Sequence, residues 1–488
     1  MVFLGVDLGT SALKAVLVDE AQAILGEASA PIATSAPHAG WSEQDTRDWR
    51  RALDAAIAEL GAAQPDALRA VRALGLSGQM HGAVLLDERS EPIRPVILWN
   101  DGRATAECDA LQAAVPDLPM IAGISAMPGF TAPKLLWLKA HEPEQFARVA
   151  KVVSPKDLLR LWLSGEMATD MADAAGTLWL DQGARDWSDA ILAASGLSRA
   201  EMPSLEEGPQ PTGEVRASVL REWGIDGPVV VAAGAGDAAA AAIGLGAVEN
   251  GDAFVSLGTS AQFFVTDAAY RPNPAALLHA FAHALPGRWF RMAAMLNGAS
   301  CLAFVAKLLE ETDIAALLDR AEAAYRVPSR VLFLPYLSGE RTPHGDPFAR
   351  GVFAGLDLDV GPLDFVQATL EGVAFSLLKA RRLMERADVR LERVSAVGGG
   401  ARSRFWMQIV AHVLGIPVVR HEGSETGPAF GAARLARLAL TGESPRDVCT
   451  KLPVRDVLQP NAGLTAAYAE RFESFAKLYR ELRPTFRP

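Results

Sequence analysis

Two hydroxyl-bearing turns and two aspartates are the residues of this chain best suited to chemistry. Near one end the chain reads Val6-Asp7-Leu8-Gly9-Thr10-Ser11-Ala12, and past the midpoint Val255-Ser256-Leu257-Gly258-Thr259-Ser260-Ala261. Threonine and serine hydroxyls with successive backbone N–H groups converge on anions, and glycine lends such a turn backbone freedom. Two such turns facing each other would clamp a polyphosphate, with Thr10 and Ser11 on one side and Gly258, Thr259 and Ser260 on the other. Only the first copy carries a carboxylate, Asp7 where the second has Ser256. Magnesium bridging phosphate oxygens needs few protein carboxylates and keeps several waters, so Asp7 is the candidate metal ligand and Lys14 the candidate phosphate cation. Asp237 follows Val229-Val230-Val231 and the glycine turn Gly234-Ala235-Gly236. At a helix start the dipole would favour its ionised form, and a carboxylate there can take a proton from a hydroxyl nucleophile. The same window satisfies G-x-G-x-x-A, a weak dinucleotide fingerprint, although the chain runs on through Gly251-Asp252 into the second turn.

Other polar clusters suit a polyhydroxylated ligand. Gln79 and His81 flank Met80 in Ser77–Gly82, and Trp99-Asn100-Asp101-Gly102-Arg103 follows soon after. Together they offer oriented donors and acceptors with an aromatic face. Arg341, in the loop 334–343, is a potential anion-binding cation. Gly399, Gly400 and Ala401 form a glycine turn that either admits a ribose or flat ring to the main chain or serves as a tight connection. Thr426 to Ala433 reads as a further small-residue helix start.

The elements that position these residues follow from local pattern. Each turn lies between apolar runs, so each reads as strand, turn, strand, and the repeat implies internal duplication into two lobes. Val71–Leu76 and Pro95–Leu98 read as strands whose carboxyl ends deliver polar loops, where open α/β sheets bind ligands. Trp41 to Gly61 reads as a helix capped by Asp45, with Trp49, Leu53, Ala56, Ile57 and Leu60 on its core face. Pro128–Leu138 leads from loop into a structural helix, and Ser154 opens another. Thr169–Thr177 reads as a small polar loop in which Asp170 and Asp173 either face a pocket or, as the stronger reading, act as caps. The run Ala238–Ala242 reads as helical and innocuous. A long amphipathic helix spans about Pro362 to Met384, Val394–Val397 is a strand, Ser403 caps the helix Arg404–Leu414, and one more helix covers Ala466 to Leu482.

The 488 residues are half hydrophobic and 22% charged, as in a globular protein with a large core. A net charge of −11 gives no general attraction to nucleic acid or to an anionic membrane surface. Cys108, Cys301 and Cys449 form neither a disulfide framework nor a metal-spaced cluster, which favours a reducing compartment. With no signal-like segment and no run near the ~20 apolar residues that span a bilayer, a cytoplasmic location is expected. A homodimer is compatible with the sequence, which marks no dimer face.

Taken end to end, the motifs resemble the FGGY carbohydrate kinase family of the actin-like ATPase superfamily. The resemblance is carried by VDLGTS at 6–11, SGQMHG at 77–82, ILWNDGR at 97–103, PGFTAPKLLW at 128–137, DMADAAGTLWLD at 170–181, SLGTS at 256–260, LPYLSGERTPH at 334–344 and GGGARS at 398–403. QMHG with LWNDGR points to the family's ketopentose kinases. The resemblance implies an α/β chain of two ribonuclease-H-like domains, 1–245 and 246–488, with ATP and sugar in a central cleft. It implies transfer of the ATP γ-phosphate, with Mg2+, to O5 of D-xylulose. By position, Asp237 matches the catalytic base, Asp7 the magnesium-site aspartate, and Met80 and His81 the sugar-contacting pair. Thr10, Ser11 and Thr259 match the phosphate turns, and Gly399, Gly400 and Ala401 the adenosine loop. One departure stands out: the family pattern is GGGDN, whereas Ala238 follows the base here and has no side-chain donor or acceptor. Another ketose or a polyol therefore competes as substrate, and an ATP-driven switch on the same scaffold is the alternative from a different class.

Overall fold

A computed structural model describes residues 1–385, 390–423 and 427–487; Thr426 lies outside the described residues. Strand β1 (Val2–Leu8) pairs antiparallel with β2 (Ala12–Asp19), which pairs antiparallel with β3 (Ile24–Pro31). Helix α1 (Thr46–Ala63) starts where Asp45 accepts the Arg47 N–H at 2.8 Å and buries the expected apolar face. On the far side of β1 lie β4 (Val71–Gly78) and then β5 (Val230–Ala232), both parallel to it. Between them in sequence come α2 (Thr131–His141), α3 (Pro155–Ser164) and α4 (Met171–Ala175). Helix α5 (Asp237–Leu245) leaves the sheet directly after Ala235–Gly236, which pairs with the end of β4.

The second half repeats this plan. Strands β6 (Ala253–Leu257) and β7 (Ala261–Asp267) are antiparallel, and after β8 (His279–Ala282) the strand β9 (Trp289–Met295) pairs antiparallel with β7. Helices α6 (Ala299–Leu308) and α7 (Pro362–Glu385) precede β10 (Val394–Val397), which is parallel to β6. Helix α8 (Arg404–Leu414), capped by Ser403, leads to β11 (Val418–His421), parallel to β10. Helix α9 (Gly427–Thr441), strand β12 (Val454–Leu458) and helix α10 (Ala462–Leu482) finish the chain. The order β3-β2-β1-β4-β5 thus recurs as β9-β7-β6-β10-β11 with the same strand directions, the signature of two ribonuclease-H-like domains. Among the described residues no helix is long and apolar enough to cross a membrane.

The two halves share a core through α5 and α9. Gly5 and Gly75 let α9 lie on the first sheet: a Cβ at these positions would sit 2.0 Å from the Ala429 carbonyl oxygen and 1.9 Å from that of Ala432. A Cβ on Gly431 would come within 1.8 Å of the Ala240 carbonyl oxygen. The alanine run is therefore not innocuous, because its small side chains permit main-chain contact between helices of opposite halves. The stretch 169–177 is also more ordered than a loop. Asp170 caps α4, accepting the Ala172 and Asp173 N–H groups at 2.8 and 3.0 Å. Among the described residues Asp173 makes no cap; it is buried 3.5 Å from the Lys156 ammonium, which also meets Asp157 at 2.5 Å and Asp170 at 2.7 Å.

Candidate active site

The two turns occupy equivalent places in the two sheets. Asp7 pairs across its hairpin with Lys14, as Ser256 pairs with Gln262. Neither Gly9 nor Gly258 has a left-handed backbone. Gly9 serves clearance instead, since a Cβ there would lie 2.9 Å from the Ala12 carbonyl oxygen. The first turn is braced by side chains: Trp99 Nε1 donates to Thr10 Oγ1 at 2.9 Å, and Thr10 Oγ1 donates to Gln79 Oε1 at 3.2 Å. Gln44 Nε2 donates to the Thr10 carbonyl at 2.6 Å and its Oε1 accepts from Gln79 Nε2 at 2.9 Å. The second turn is tied by backbone, Ala299 N–H to Gly258 O at 2.8 Å and Gly298 N–H to Thr259 O at 3.1 Å. Ser11 and Thr259 remain exposed at the tips, with Ser260 half-buried.

Asp237 stands at the start of α5 with Oδ1 accepting the Ala238 N–H at 2.7 Å. Burial, and then the charge of Asp7, push its carboxyl up to about 7. Against the expectation of a readily ionised Asp237, burial and the Asp7 charge raise the carboxyl, and the Ala238 N–H lowers it only in part. Asp7 is itself buried and raised by burial to about 6, with Lys14 offsetting part of the shift. A carboxyl balanced near neutrality can accept a proton from an alcohol at physiological pH.

Met80 packs on the residue before the base, so that a Cβ on Gly236 would meet its Sδ at 2.8 Å. His81 comes next and holds φ at 71°, in the left-handed region unusual for a non-glycine residue. Its Nδ1 lies 2.7 Å from the Gly176 carbonyl oxygen, its ring 4.3 Å from that of Phe130, and its own carbonyl accepts from Lys134 Nζ at 2.8 Å. A carbonyl only accepts, so Nδ1 carries the proton. Burial keeps the imidazole far below its usual basicity and hence neutral, which leaves Nε2 as an acceptor for a ligand hydroxyl.

The structure therefore sets Asp7 and Met80 beside Asp237, with His81 following Met80 in the chain, and gives other expected ligand contacts different work. Gln79 is buried and braces the Thr10 turn, as does Trp99. Arg103 reaches Asp101 at 2.7 Å and Glu43 at 2.8 Å while its guanidinium covers the Trp41 ring at 3.6 Å. Asp101 also accepts the Ser42 N–H at 2.6 Å. Both groups are committed to holding the loop, unlike the ligand donors and acceptors expected from sequence; Asn100 is exposed. Besides burial, the positive charge of Arg341 helps hold both His81 and His279 below the usual imidazole range. Sequence reasoning passed over Gly176, where a Cβ would stand 2.7 Å from His81 Nδ1, and read the Phe130–Lys134 loop as structural only. The signal for Lys134 was a cation inside an otherwise apolar helix start.

Two cavities meet at the Gly399 turn, and Asp237 lines the first of them. One of about 500 Å³ is lined by Lys14, Asp237, Ser256, Gln262, Gly399 and Ala401, among others. A second of about 720 Å³ lies between the Gly399–Gly400 turn, Leu302 of α6, Ile314, Leu318 and Phe405. Both touch Gly399 and Arg402, so an apolar chamber adjoins the cavity that Asp237 lines. A purine with a triphosphate tail has these proportions.

Known proteins place this geometry in context. Residues 2–244 match the N-terminal domain of the FGGY family of carbohydrate kinases, and residues 253–440 match its C-terminal domain. A xylulose kinase of Escherichia coli (strain K12) is 45% identical over 483 residues, covering 99% of each chain. The crystal structure of a xyloylose kinase from Brucella ovis superposes with a TM-score of 0.96 at 45% identity, over 99% of this chain and 100% of that one. The xylulose kinase of Rhodospirillum rubrum gives 0.90 at 28% identity, with both chains covered in full. A repeated strand-turn-strand, family models matching both halves and likeness along the whole length lead to one assignment: the chain belongs to the FGGY family of carbohydrate kinases.

Proposed function

We propose that this protein catalyses ATP-dependent phosphorylation of D-xylulose to D-xylulose 5-phosphate. The observation that carries the reading is the line from Asp7 and Asp237 past Met80 to His81, beside a cavity lined by Asp237 together with Lys14 of the first hairpin and Ser256 and Gln262 of the second. Full-length similarity to xylulose kinases supplies the sugar. His81 Nε2 and the Met80 side chain hold the ketose with O5 toward Asp237. Asp237 takes the O5 proton as that oxygen attacks the γ-phosphorus in line, with ADP leaving. Lys14 and the hydroxyls of Ser11, Thr259 and Ser260 balance phosphate charge, and Thr10 fixes the turn. The Gly399–Ala401 turn admits the ribose, with the adenine in the larger cavity. Such transfer depends on positioning and electrostatics more than on covalent chemistry.

Asp7 fits a magnesium site. Its Oδ1 is buried without a hydrogen-bond partner, an orphan that a hydrated cation would satisfy. Among the described residues no group of three acidic, histidine or cysteine side chains forms a cage, so phosphate oxygens and water would complete the shell. When bound, magnesium supplies neutralisation of phosphate charge. A cytoplasmic location suits the ATP requirement and the three buried free cysteines.

The test is Mg2+- and ATP-dependent ADP release with D-xylulose, D-ribulose, L-xylulose, L-ribulose, glycerol and no sugar. Preference for D-xylulose supports the reading and shows that Ala238 is tolerated beside the base. Preference for another sugar keeps the phosphate site and reassigns the pocket. Equal release with and without sugar favours an ATP-driven switch.

A further inference from the structure

Arg341 is a cation that the phosphate-transfer machinery does not use. Its segment is fixed: the Thr342 N–H donates to Ala294 O at 3.1 Å, Thr342 Oγ1 donates to Leu277 O at 2.9 Å, and Glu340 accepts the Leu296 N–H at 2.7 Å. This pins Arg341 to β9, the strand on which Met292 pairs with His279 of β8. His279 is buried, with its ring 6.0 Å from Phe130, which in turn covers His81. His279, Phe130 and His81 thus form one cluster drawn from both halves, and the charge of Arg341, on the segment tied to β9, acts on both imidazoles. Among the described residues the Arg341 guanidinium makes no hydrogen bond and no ion pair, and it is only half-buried.

Donor and acceptor roles at this end of the cleft are unequal. The Nδ1 atoms of His81 and His279 donate to Gly176 O and Met292 O, the latter at 3.2 Å, so both Nε2 atoms are acceptors. Lys134 is spent on the carbonyls of His81 and Ile97, at 2.8 and 3.1 Å. Sugar hydroxyls can satisfy the imidazoles, whereas a carbonyl oxygen needs a donor, and Arg341 is the cation left to provide one. The chemistry of the substrate demands such a group. A 2-ketopentose closes its ring through O5, so only the open-chain form, with C2 as a free carbonyl, has O5 available for phosphorylation.

We propose that Arg341 is a specificity-determining residue that donates to the C2 carbonyl oxygen of the open-chain ketose and so selects ketoses over the corresponding polyols. This rests on the ketose kinase reading above. The experiment compares kcat/KM for D-xylulose with that for xylitol and D-arabinitol, its two C2-reduced forms, in the wild type, Arg341→Met and Arg341→Lys. The wild type is expected to favour the ketose. Arg341→Met should lower kcat/KM for D-xylulose by roughly tenfold to a hundredfold, the worth of a charged hydrogen bond, and leave the polyols unchanged. Arg341→Lys should recover part of the preference. The melting midpoint and the affinity for ATP serve as controls for folding and should not move. Equal turnover of xylitol and D-xylulose by the wild type overturns the proposal without any variant, as does a ketose preference that survives Arg341→Met. If no ketose stimulates ADP release at all, the functional reading itself has failed, and that result is distinct from a preference that does not depend on Arg341.

Discussion

The carboxyl of Asp237 makes a demanding prediction about stability. Its pKa rises from 3.8 to about 7 in the fold, through burial first and the Asp7 charge second. At roughly 1.4 kcal/mol per pH unit, holding Asp237 ionised in the native state costs at most about 4 kcal/mol relative to the unfolded chain. The side chain keeps some contact with water, which screens part of that. Because the folded pKa lies above the unfolded one, the native state binds more protons between pH 3.8 and about 7. Stability therefore falls as pH rises through that window and stays lower above it. Asparagine cannot ionise, and its Oδ1 can still accept the Ala238 N–H. Asp237→Asn should be more stable than wild type by up to about 4 kcal/mol at pH 8, with the gain falling to about 2 kcal/mol at pH 5.5. Denaturant and thermal unfolding at both pH values measure this, and turnover should fall roughly 10²- to 10⁴-fold. A variant no more stable than wild type at pH 8, or a gain independent of pH, would refute the assignment of a strained, buried base.

The same electrostatics predict that kcat/KM declines below about pH 7 as Asp237 becomes protonated, and that the inflection moves to lower pH in the residual activity of Asp7→Asn; an inflection unmoved by that change would mean the two carboxylates do not interact. His81 is held neutral by burial, so the KM for sugar should show no titration near pH 6.5, and His81→Ala should raise KM with little change in the melting midpoint. Gly431→Ala would place a methyl 1.8 Å from the Ala240 carbonyl oxygen, and should destabilise the protein by about 1–3 kcal/mol or more. A melting midpoint equal to wild type would show that α5 and α9 do not meet at this point. Arg103→Ala removes the partner of buried Asp101 and the cover of Trp41, and should cost about 3–5 kcal/mol of stability while sparing sugar KM in the folded fraction. A selective rise in KM without a stability loss would return Arg103 to the substrate.

Features set by contiguous residues were legible before any fold was known. Each hydroxyl-bearing turn is a strand, a tight turn and a strand within a short contiguous stretch, Val2–Asp19 in one copy and Ala253–Asp267 in the other, so its form and its duplication are readable without any distant partner. Asp45 capping α1, Ser403 capping α8 and the core faces of α1 and α7 are equally local, following from side-chain reach to the next turn and from helical period. The tertiary structure decided which polar groups face a ligand and how readily they ionise. Gln79, Asp101 and Arg103 sit in ligand-like motifs, yet their partners Gln44, Ser42 and Glu43 lie on a separate segment that only folding brings near. The alanine run took its meaning from a helix some 190 residues further on. Asp237 is the sharpest case. Ser77 of β4 pairs with Asp7 on one side and with Ala235 on the other, so the sheet sets two carboxylates from opposite ends of the first domain across one strand. Local sequence offered Asp237 a helix dipole that would ionise it. The fold surrounded it with protein and a second negative charge, and desolvation with like-charge repulsion raises its carboxyl.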